Sequence, residues 1–290
     1  MKTIIRYFLF NMTVLMLHSP SLEAKPFVTA DLRYELGNQM FQVAAAVAIA
    51  LDNDYEAYFP DLDRCPWWGM PDNRDYVFWR LNAEEPNEPI EYTYQQNGVC
   101  FPIPAKPNMK IAGDFQSERY FAHHKEAIIN LFSPSDHIIG YLQRKYANIL
   151  AHPCSVAVHV RTYIKDYGHL PTIDELHAFA GINYYEKAVK LFPSDALFVV
   201  CSDNIEWCKA NLAHIAPNVV FIEGNEHYYD FYLMSLCKHN ITANSTFSWW
   251  AAYLNRNPDK VIVTLDNWFG KWWGQGTVHI VPKEWIRISR

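Results

Sequence analysis

His159 and Arg161 lie at the end of an apolar run that is typical of a buried strand. An arginine guanidinium binds phosphate through two parallel hydrogen bonds, and a histidine can hold or move a proton near neutral pH. Asp166 follows closely enough to join the same site as a general base. We therefore predict that His159, Arg161 and Asp166 carry the chemistry of the protein.

A second candidate is the segment Asn244-Ser245-Thr246, which separates a short β-branched run from a helical pattern. Backbone N–H groups at a helix start are unpaired and lie at the positive end of the dipole, so they bind anions. We expect all three side chains, and Ser248 in the next turn, to contact a ligand. The alternative is an ordinary helix cap, because Asn, Ser and Thr are the usual capping residues.

Asp203 follows a third apolar run. The segment from Asp203 to Glu206 matches a capping box, which explains its residues without a ligand. Because acids at such a position often hold nucleotide hydroxyls, a contact from Asp203 to a ribose or a base is the alternative. In the helix that follows Thr246, Trp250 falls on the core-facing stripe, which leaves Trp249 to face a ligand.

Strands and helices alternate regularly after residue 153, which predicts a parallel, doubly wound α/β sheet. Ligands of such sheets bind beyond the carboxyl ends of the strands, where all three polar segments fall. The half before residue 153 begins with a strand, a tight turn at 35–39 and a buried helix at 40–51. The proline-rich stretch 60–107 has no clear period and is typical of a ligand mouth.

Residues 1–24 combine Lys2 and Arg6 with an apolar run from residue 7 to residue 17. This pattern predicts a signal peptide or a membrane anchor, and hence membrane association or the secretory pathway. A cytoplasmic location stays open if the apolar N-terminus is fortuitous. Half of the residues are hydrophobic, as in a folded protein, and the net charge of −6 argues against nucleic acid as a partner.

Five blocks resemble, in order, the α-1,2-fucosyltransferases, which transfer L-fucose from GDP-fucose to a galactoside. They cover residues 36–42, 115–121, 159–161, 202–209 and 233–255. The resemblance implies a GT-B-like fold of two Rossmann-like domains facing across a cleft. It implies an acceptor-side domain at 25–152, a domain at 153–290 that binds GDP-fucose, inversion at the anomeric carbon, and no metal or other cofactor.

Individual roles follow from the same resemblance. Arg161 is expected on the β-phosphate of GDP, and Asn38 and Gln39 of the G-N-Q turn are expected to contact the donor from across the cleft. Gln116 and Glu118 are assigned to the acceptor, with Glu118 as a further candidate base. The sequence after Arg161 departs from the H-x-R-R-G-D-Y of many relatives, so Asp166 is either a realigned counterpart or a loop residue.

Two acid pairs, Asp52/Asp54 and Asp61/Asp63, have the D-x-D form that some metal-dependent glycosyltransferases use. We interpret both as exposed turn acids, because Asp is common in turns, and we predict no metal site. The charge that develops on a leaving GDP would instead be neutralised by Arg161 and the helix start.

The sequence therefore predicts an inverting, metal-independent transferase that moves L-fucose from GDP-fucose to the 2-hydroxyl of a galactose-terminated glycan. Two alternatives stay open. One is a non-catalytic sugar- or nucleotide-binding protein of the same fold, and the other is a fucosyltransferase with a different acceptor.

Overall fold

The structure is a computed structural model that describes residues 24–98, 102–271 and 279–290. The predicted leader, residues 1–24, lies outside these ranges except for its last residue. Within the described ranges, no helix has both the length and the apolar character needed to cross a bilayer.

The strands of the described residues form two sheets whose neighbours all run parallel. The strands are β1 (Phe27–Ala30), β2 (Glu56–Tyr58), β3 (Tyr92–Gln95), β4 (Met109–Ala112), β5 (Ser155–Val160), β6 (Leu197–Ser202), β7 (Val219–Phe221), β8 (His239–Ile241), β9 (Ile262–Leu265) and β10 (Ile286–Ile288). One sheet has the order β2-β1-β4-β3 and the other the order β10-β9-β8-β5-β6-β7. The predicted α/β class is confirmed.

Helices connect most consecutive strands, as is usual for parallel pairing, although the described residues contain no α-helix between β3 and β4 or between β9 and β10. The helices are α1 (Leu36–Asn53), α2 (Asp61–Arg64), α3 (Met70–Tyr76), α4 (Lys125–Leu131), α5 (Asp136–Lys145), α6 (Ala147–Ala151), α7 (Ile164–Tyr167), α8 (Ile182–Val189), α9 (Ile205–Leu212), α10 (His227–Leu236) and α11 (Thr246–Leu254). Strand β5 is buried along its whole length because helices cover both faces of the larger sheet. Its carboxyl end therefore lies at the centre of one sheet edge.

The predicted turn at 35–39 is wrong, because α1 already begins at Leu36. Gly37 signals close packing and not a bend. A Cβ atom at Gly37 would lie 2.5 Å from the carbonyl carbon of Thr246 and 2.6 Å from the backbone nitrogen of Phe247. Glycine therefore allows the first turn of α1 to touch the first turn of α11.

An aromatic cluster holds α1 against α11. The ring of Phe41 lies 4.5 Å from that of Trp249 and 5.0 Å from that of Trp250, measured between centroids. Both tryptophans are fully buried, and Trp249 donates its indole N–H to the carbonyl of Ile280 at 2.7 Å. The prediction that Trp249 faces a ligand is wrong, because helices from both halves of the chain cover α11 and leave it no exposed side at this turn.

Candidate functional site

Asp203 organises the loop that follows β5. Its carboxylate accepts hydrogen bonds from the backbone N–H of Thr162 at 2.7 Å, from the Thr162 hydroxyl at 3.0 Å and from the N–H of Tyr163 at 3.2 Å. The Asp203 side chain is only 9% exposed, since it leaves β6 directly beside the end of β5. The Asp203 carboxylate oxygens accept hydrogen bonds from the protein itself, whereas the sequence predicted a contact with a ribose or a base.

The predicted capping box is also shifted by one residue. Asn204 is the cap of α9, because its side-chain oxygen accepts a hydrogen bond from the N–H of Trp207 at 3.1 Å. Asp203 is consequently free of any capping role, and it acts on the neighbouring strand loop instead.

Arg161 is held from two sides. Its Nη1 donates to Asp203 at 3.2 Å and its Nη2 to Asp166 at 2.7 Å, while the guanidinium lies 4.9 Å from the centre of the Tyr163 ring. The bond to Asp203 is partly buried, since the Asp203 side chain is only 9% exposed, but Asp166 is 49% exposed, and an exposed ion pair contributes little. An incoming anion can therefore take the place of Asp166 while Asp203 keeps the guanidinium oriented.

Tyr163 and His177 belong to this loop and were missed by sequence reasoning. Tyr163 adopts a left-handed backbone conformation with φ of 57°, and its hydroxyl donates to the backbone carbonyl of Asn244 at 2.6 Å. The His177 imidazole stacks on the Tyr163 ring at 5.1 Å, and burial lowers the pKa of His177. These contacts hold the loop after β5 against the start of α11. They could not be predicted from a sequence motif, because they join residues that are far apart in the chain.

The side chains at the start of α11 divide into buried and accessible ones. Asn244 is buried and donates to the carbonyl of Ala178 at 2.9 Å, and Ser248 is buried and donates to the carbonyl of Ser245 at 3.2 Å. These two side chains are bonded to the backbone through Asn244 Nδ2 and Ser248 Oγ, and their ligand contacts stay a prediction. Ser245 and Thr246 stay partly exposed.

The start of α11 has no side-chain cap in the described part of the chain. Ser245 occupies the cap position, but its hydroxyl does not accept from the first turn. The start of α1 is similar, because Glu35 forms no capping bond and neither helix has an acid in its first turn. At Gly37 the two starts touch, so two positive dipole ends of roughly +0.5 charge each lie together, and the Tyr163 hydroxyl joins the loop of Arg161 to the start of α11. Such an arrangement favours a bound anion.

His159 is nearly fully buried, and its ring packs 5.5 Å from that of Phe247. Burial, opposed by Asp203 and assisted by Arg161, lowers the pKa of His159 to about 4. The imidazole is therefore neutral at pH 7 and adds no positive charge to the site. Its Nδ1 has no hydrogen-bond partner among the described residues.

Asn38 and Gln39 have different surroundings although they are adjacent. Asn38 accepts a hydrogen bond from the Gln116 side chain at 2.7 Å, and both are partly exposed. Gln39 is completely buried, and its amide donates to the backbone carbonyls of Tyr34 and Trp68. The Gln39 side chain is thus used within the protein, which differs from the predicted donor contact.

Gln116 lines a cleft of about 470 Å³ at the carboxyl ends of β1, β3 and β4. The other residues that line it are Arg33, Tyr34, Gln95, Gln96, Gly98, Gly113, Asp114, Ser117, Tyr120 and Phe269. Through the bond between Gln116 and Asn38, this cleft opens next to the start of α1. Its lining mixes amides, an Arg and an Asp with aromatic rings, a composition suited to a polar ligand.

Glu118 is not brought to Arg161. It lies near Glu284 and near Tyr253, and burial followed by the charge of Glu284 raises the pKa of Glu118. Tyr253 is in the last turns of α11, about 10 Å along the helix from Thr246. The charges that act on Glu118 come from Glu284, Lys125 and Arg119 and not from Arg161, and its role as a base stays a prediction.

Of the D-x-D acids, Asp54 lies in the exposed turn after α1 as predicted, whereas Asp52 belongs to the last turn of α1 and Asp61 and Asp63 belong to α2. Among the described residues, Asp52 forms the one group of His, Cys, Asp and Glu that could hold a metal ion, together with His123 and His124. This group lies at the far end of α1, about 22 Å from Gly37 along the helix.

Solved structures with a similar fold are fucosyltransferases. The α-1,6-fucosyltransferase NodZ co-crystallised with GDP matches with a TM-score of 0.54 and 14% identity, over 84% of this chain and 96% of that chain. NodZ from Bradyrhizobium matches with a TM-score of 0.51 and 14% identity, over 78% of this chain and 92% of that chain. At these identities the likeness shows the fold alone, which is the GT-B fold of glycosyltransferases.

The sequence relatives narrow the class to one family. Residues 103–289, more than half of the chain, match the model of glycosyl transferase family 11, and the chain belongs to this family. An alpha-1,2-colitosyltransferase of Escherichia coli is 31% identical over 70% of this chain and 69% of its own length. Galactoside alpha-(1,2)-fucosyltransferase 1 of Rattus norvegicus is 31% identical over 75% of this chain and 61% of its own length.

Proposed function

We propose that this glycosyltransferase moves L-fucose from GDP-fucose to the 2-hydroxyl of a galactose-terminated glycan, with inversion and without a metal ion. Residues 153–290 would hold the donor and residues 25–152 the acceptor. The observation that carries the proposal is the contact between two uncapped helix starts at Gly37 and Thr246, together with the partly exposed Arg161 on the loop that Tyr163 joins to the start of α11.

The leaving group determines what the site must do. When the bond between the anomeric carbon and the β-phosphate oxygen breaks, the electron pair stays on GDP. Fixed positive groups that meet this charge lower the barrier, because they need no reorganisation during the reaction. Arg161 and the N–H groups of the two helix starts supply such charge, and Asp203 keeps Arg161 in place.

The acceptor hydroxyl attacks from the face opposite the phosphate, which inverts the anomeric carbon, and its proton must be removed. Of the three predicted bases, His159 is buried, and the charges that act on Glu118 do not include Arg161. Asp166 is released when Arg161 binds the phosphate, and it is exposed at the same edge. We therefore assign removal of this proton to Asp166, which must lie within hydrogen-bond reach of the acceptor hydroxyl.

Substitution of Arg161 tests the proposal. Arg161→Ala should reduce transfer from GDP-fucose to a galactoside at least about 100-fold, and Arg161→Lys should recover only part of it because the two-pronged contact is lost. Arg256→Ala is the matched control, since Arg256 forms an exposed ion pair with Glu126. Wild-type-like transfer by Arg161→Ala, or a strict requirement for added Mn²⁺ after chelator treatment, would contradict the proposal. Galactoside-dependent release of GDP by the wild type separates the enzyme from a non-catalytic binding protein.

The relative that transfers colitose supports a second donor. Colitose is fucose without its 3-hydroxyl, so both sugars can occupy a site of this shape. A comparison of kcat/KM for GDP-fucose and GDP-colitose at one acceptor decides between them. A site that hydrogen-bonds the 3-hydroxyl should reject the deoxy sugar by several orders of magnitude.

A further inference from the structure

Two aromatic side chains are exposed at the start of α1 in an unusual backbone conformation. Tyr34 is 49% exposed and Trp68 is 40% exposed, and their ring centres are 6.2 Å apart. Both residues have left-handed backbones, with φ of 65° for Tyr34 and 56° for Trp68. Bulky residues rarely adopt this conformation, and where they do, the surrounding structure must hold them there.

Gln39 is the residue that holds them. Its side-chain N–H₂ donates to the carbonyl of Tyr34 at 2.5 Å and to the carbonyl of Trp68 at 3.1 Å. Its oxygen accepts from the Asn73 amide at 2.7 Å, and the other end of Asn73 bonds to His227 at 2.9 Å. A network centred on the buried side chains of Gln39 and Asn73 thus holds two strained residues whose rings remain in solvent. Burial of apolar surface is not the reason for this conformation, because both rings remain exposed. The exposed rings therefore point to a ligand.

The place of the two rings indicates what that ligand is. Tyr34 lines the cleft described above, where Gln95, Gln96 and Gln116 offer amide groups and Asp114 a carboxylate. A cleft of about 470 Å³ is large enough for a small oligosaccharide. A pyranose ring has an apolar C–H face and a rim of hydroxyls, so it matches an aromatic surface beside hydrogen-bonding amides. The neighbouring start of α1 would bind the donor phosphate, so a pyranose ring that stacks on Tyr34 and Trp68 would belong to the acceptor.

We propose that Tyr34 and Trp68 form a stacking platform for a pyranose ring of the acceptor glycan, and that Gln39 is its positioning residue. This inference rests on the proposed glycosyl transfer. It also explains why a fully buried glutamine occupies the G-N-Q segment. Gln39 acts on the acceptor through the backbones of Tyr34 and Trp68 and not through contact with the donor.

Trp68→Ala is the direct test, because Trp68 is exposed and its removal should leave the fold intact. The KM for a galactose-terminated disaccharide should rise about 5- to 10-fold, as expected for loss of one stacking contact. The kcat at saturating acceptor and the hydrolysis of GDP-fucose without acceptor should stay unchanged. Trp68→Phe should restore most of the acceptor affinity.

Trp79→Ala is the matched control, since Trp79 is equally exposed at 40% but is covered by the Arg80 guanidinium at 3.8 Å. Gln39→Ala should raise the acceptor KM in the same way as Trp68→Ala, with unchanged affinity for GDP in a binding titration. An acceptor KM for Trp68→Ala no different from that of Trp79→Ala would refute the platform. Failure of the function itself would appear differently, as the absence of acceptor-dependent GDP release in the wild type.

Discussion

Gly37→Ala tests the contact between the two helix starts. The added Cβ would lie 2.5 Å from backbone and hydroxyl atoms of Thr246, whereas ordinary van der Waals contacts begin near 3.4 Å. Helix α1 must therefore move away from α11 by about 1 Å. Displacement of a reacting group by about 1 Å can cost about 100-fold in rate, equivalent to about 2.7 kcal/mol of barrier. We expect a loss of this size in kcat/KM.

Stability should change less than activity. Overpacking costs about 1–3 kcal/mol, while replacing glycine by alanine in a helix returns about 0.5–1 kcal/mol. The net loss of up to about 2.5 kcal/mol corresponds to a melting temperature lower by up to about 4 °C, because the entropy of unfolding of a chain of this size is about 0.6 kcal/mol/K. The assays are steady-state transfer and thermal unfolding followed by circular dichroism.

Gly140→Ala is the control, because Gly140 also lies in a helix and its Cβ would meet only the flexible end of Arg144 at 3.2 Å. That variant should keep full activity and gain up to about 1 kcal/mol of stability. If Gly37→Ala behaves like Gly140→Ala in both assays, the two helix starts do not form the site, and the assignment of the diphosphate to them is wrong.

Two further predictions concern buried groups at the end of β5. Asp203→Asn should lower transfer about 100-fold and the free energy of unfolding by about 2–4 kcal/mol, because it removes the charge that Arg161 and the loop N–H groups surround. Asp166→Asn is the control, since Asp166 is exposed and its loss should leave denaturant unfolding nearly unchanged. Equal stabilities of the two variants would refute the role of Asp203 in holding Arg161 and the loop. For His159, the folded pKa of about 4 lies below the unfolded value of 6.5, so the unfolded state binds the extra proton between these limits. The free energy of unfolding should fall by about 3 kcal/mol as the pH drops from 6.5 to 4, and this pH-dependent fall should be missing in His159→Gln. Urea unfolding at several pH values measures it. An identical pH dependence in both proteins would contradict a neutral buried imidazole.

Several features were predictable because they depend on local patterns. Apolar runs of strand length that alternate with helical periods predicted the parallel sheet, and the position of Arg161 after such a run placed it at a carboxyl edge. The segment 244–246 was expected at the start of a helix, and α11 begins there. Family membership was also predictable, since the motif blocks that indicated it are contiguous in the sequence.

The use of individual side chains was not predictable from the same patterns. Gln39 was expected to face the donor, but residues 29 and 34 positions away enclose its amide. Asp203 fits a local capping box, and it instead binds a loop 41 residues earlier. His159 shares its motif with Arg161, but His159 lies within the fully buried strand β5, whereas Arg161 follows the end of that strand at the sheet edge.

The sequence by itself thus determined the fold class and the family, and it predicted the sheet edge at which we propose that the chemistry takes place. Only the tertiary structure decided which polar groups remain available there, because a hydrogen-bonding side chain is satisfied by whatever group lies nearest in space. The glycine at position 37 illustrates the difference. Sequence identifies it as a glycine before a helix, and only the position of Thr246, 209 residues later, shows that its missing side chain brings two helix starts together.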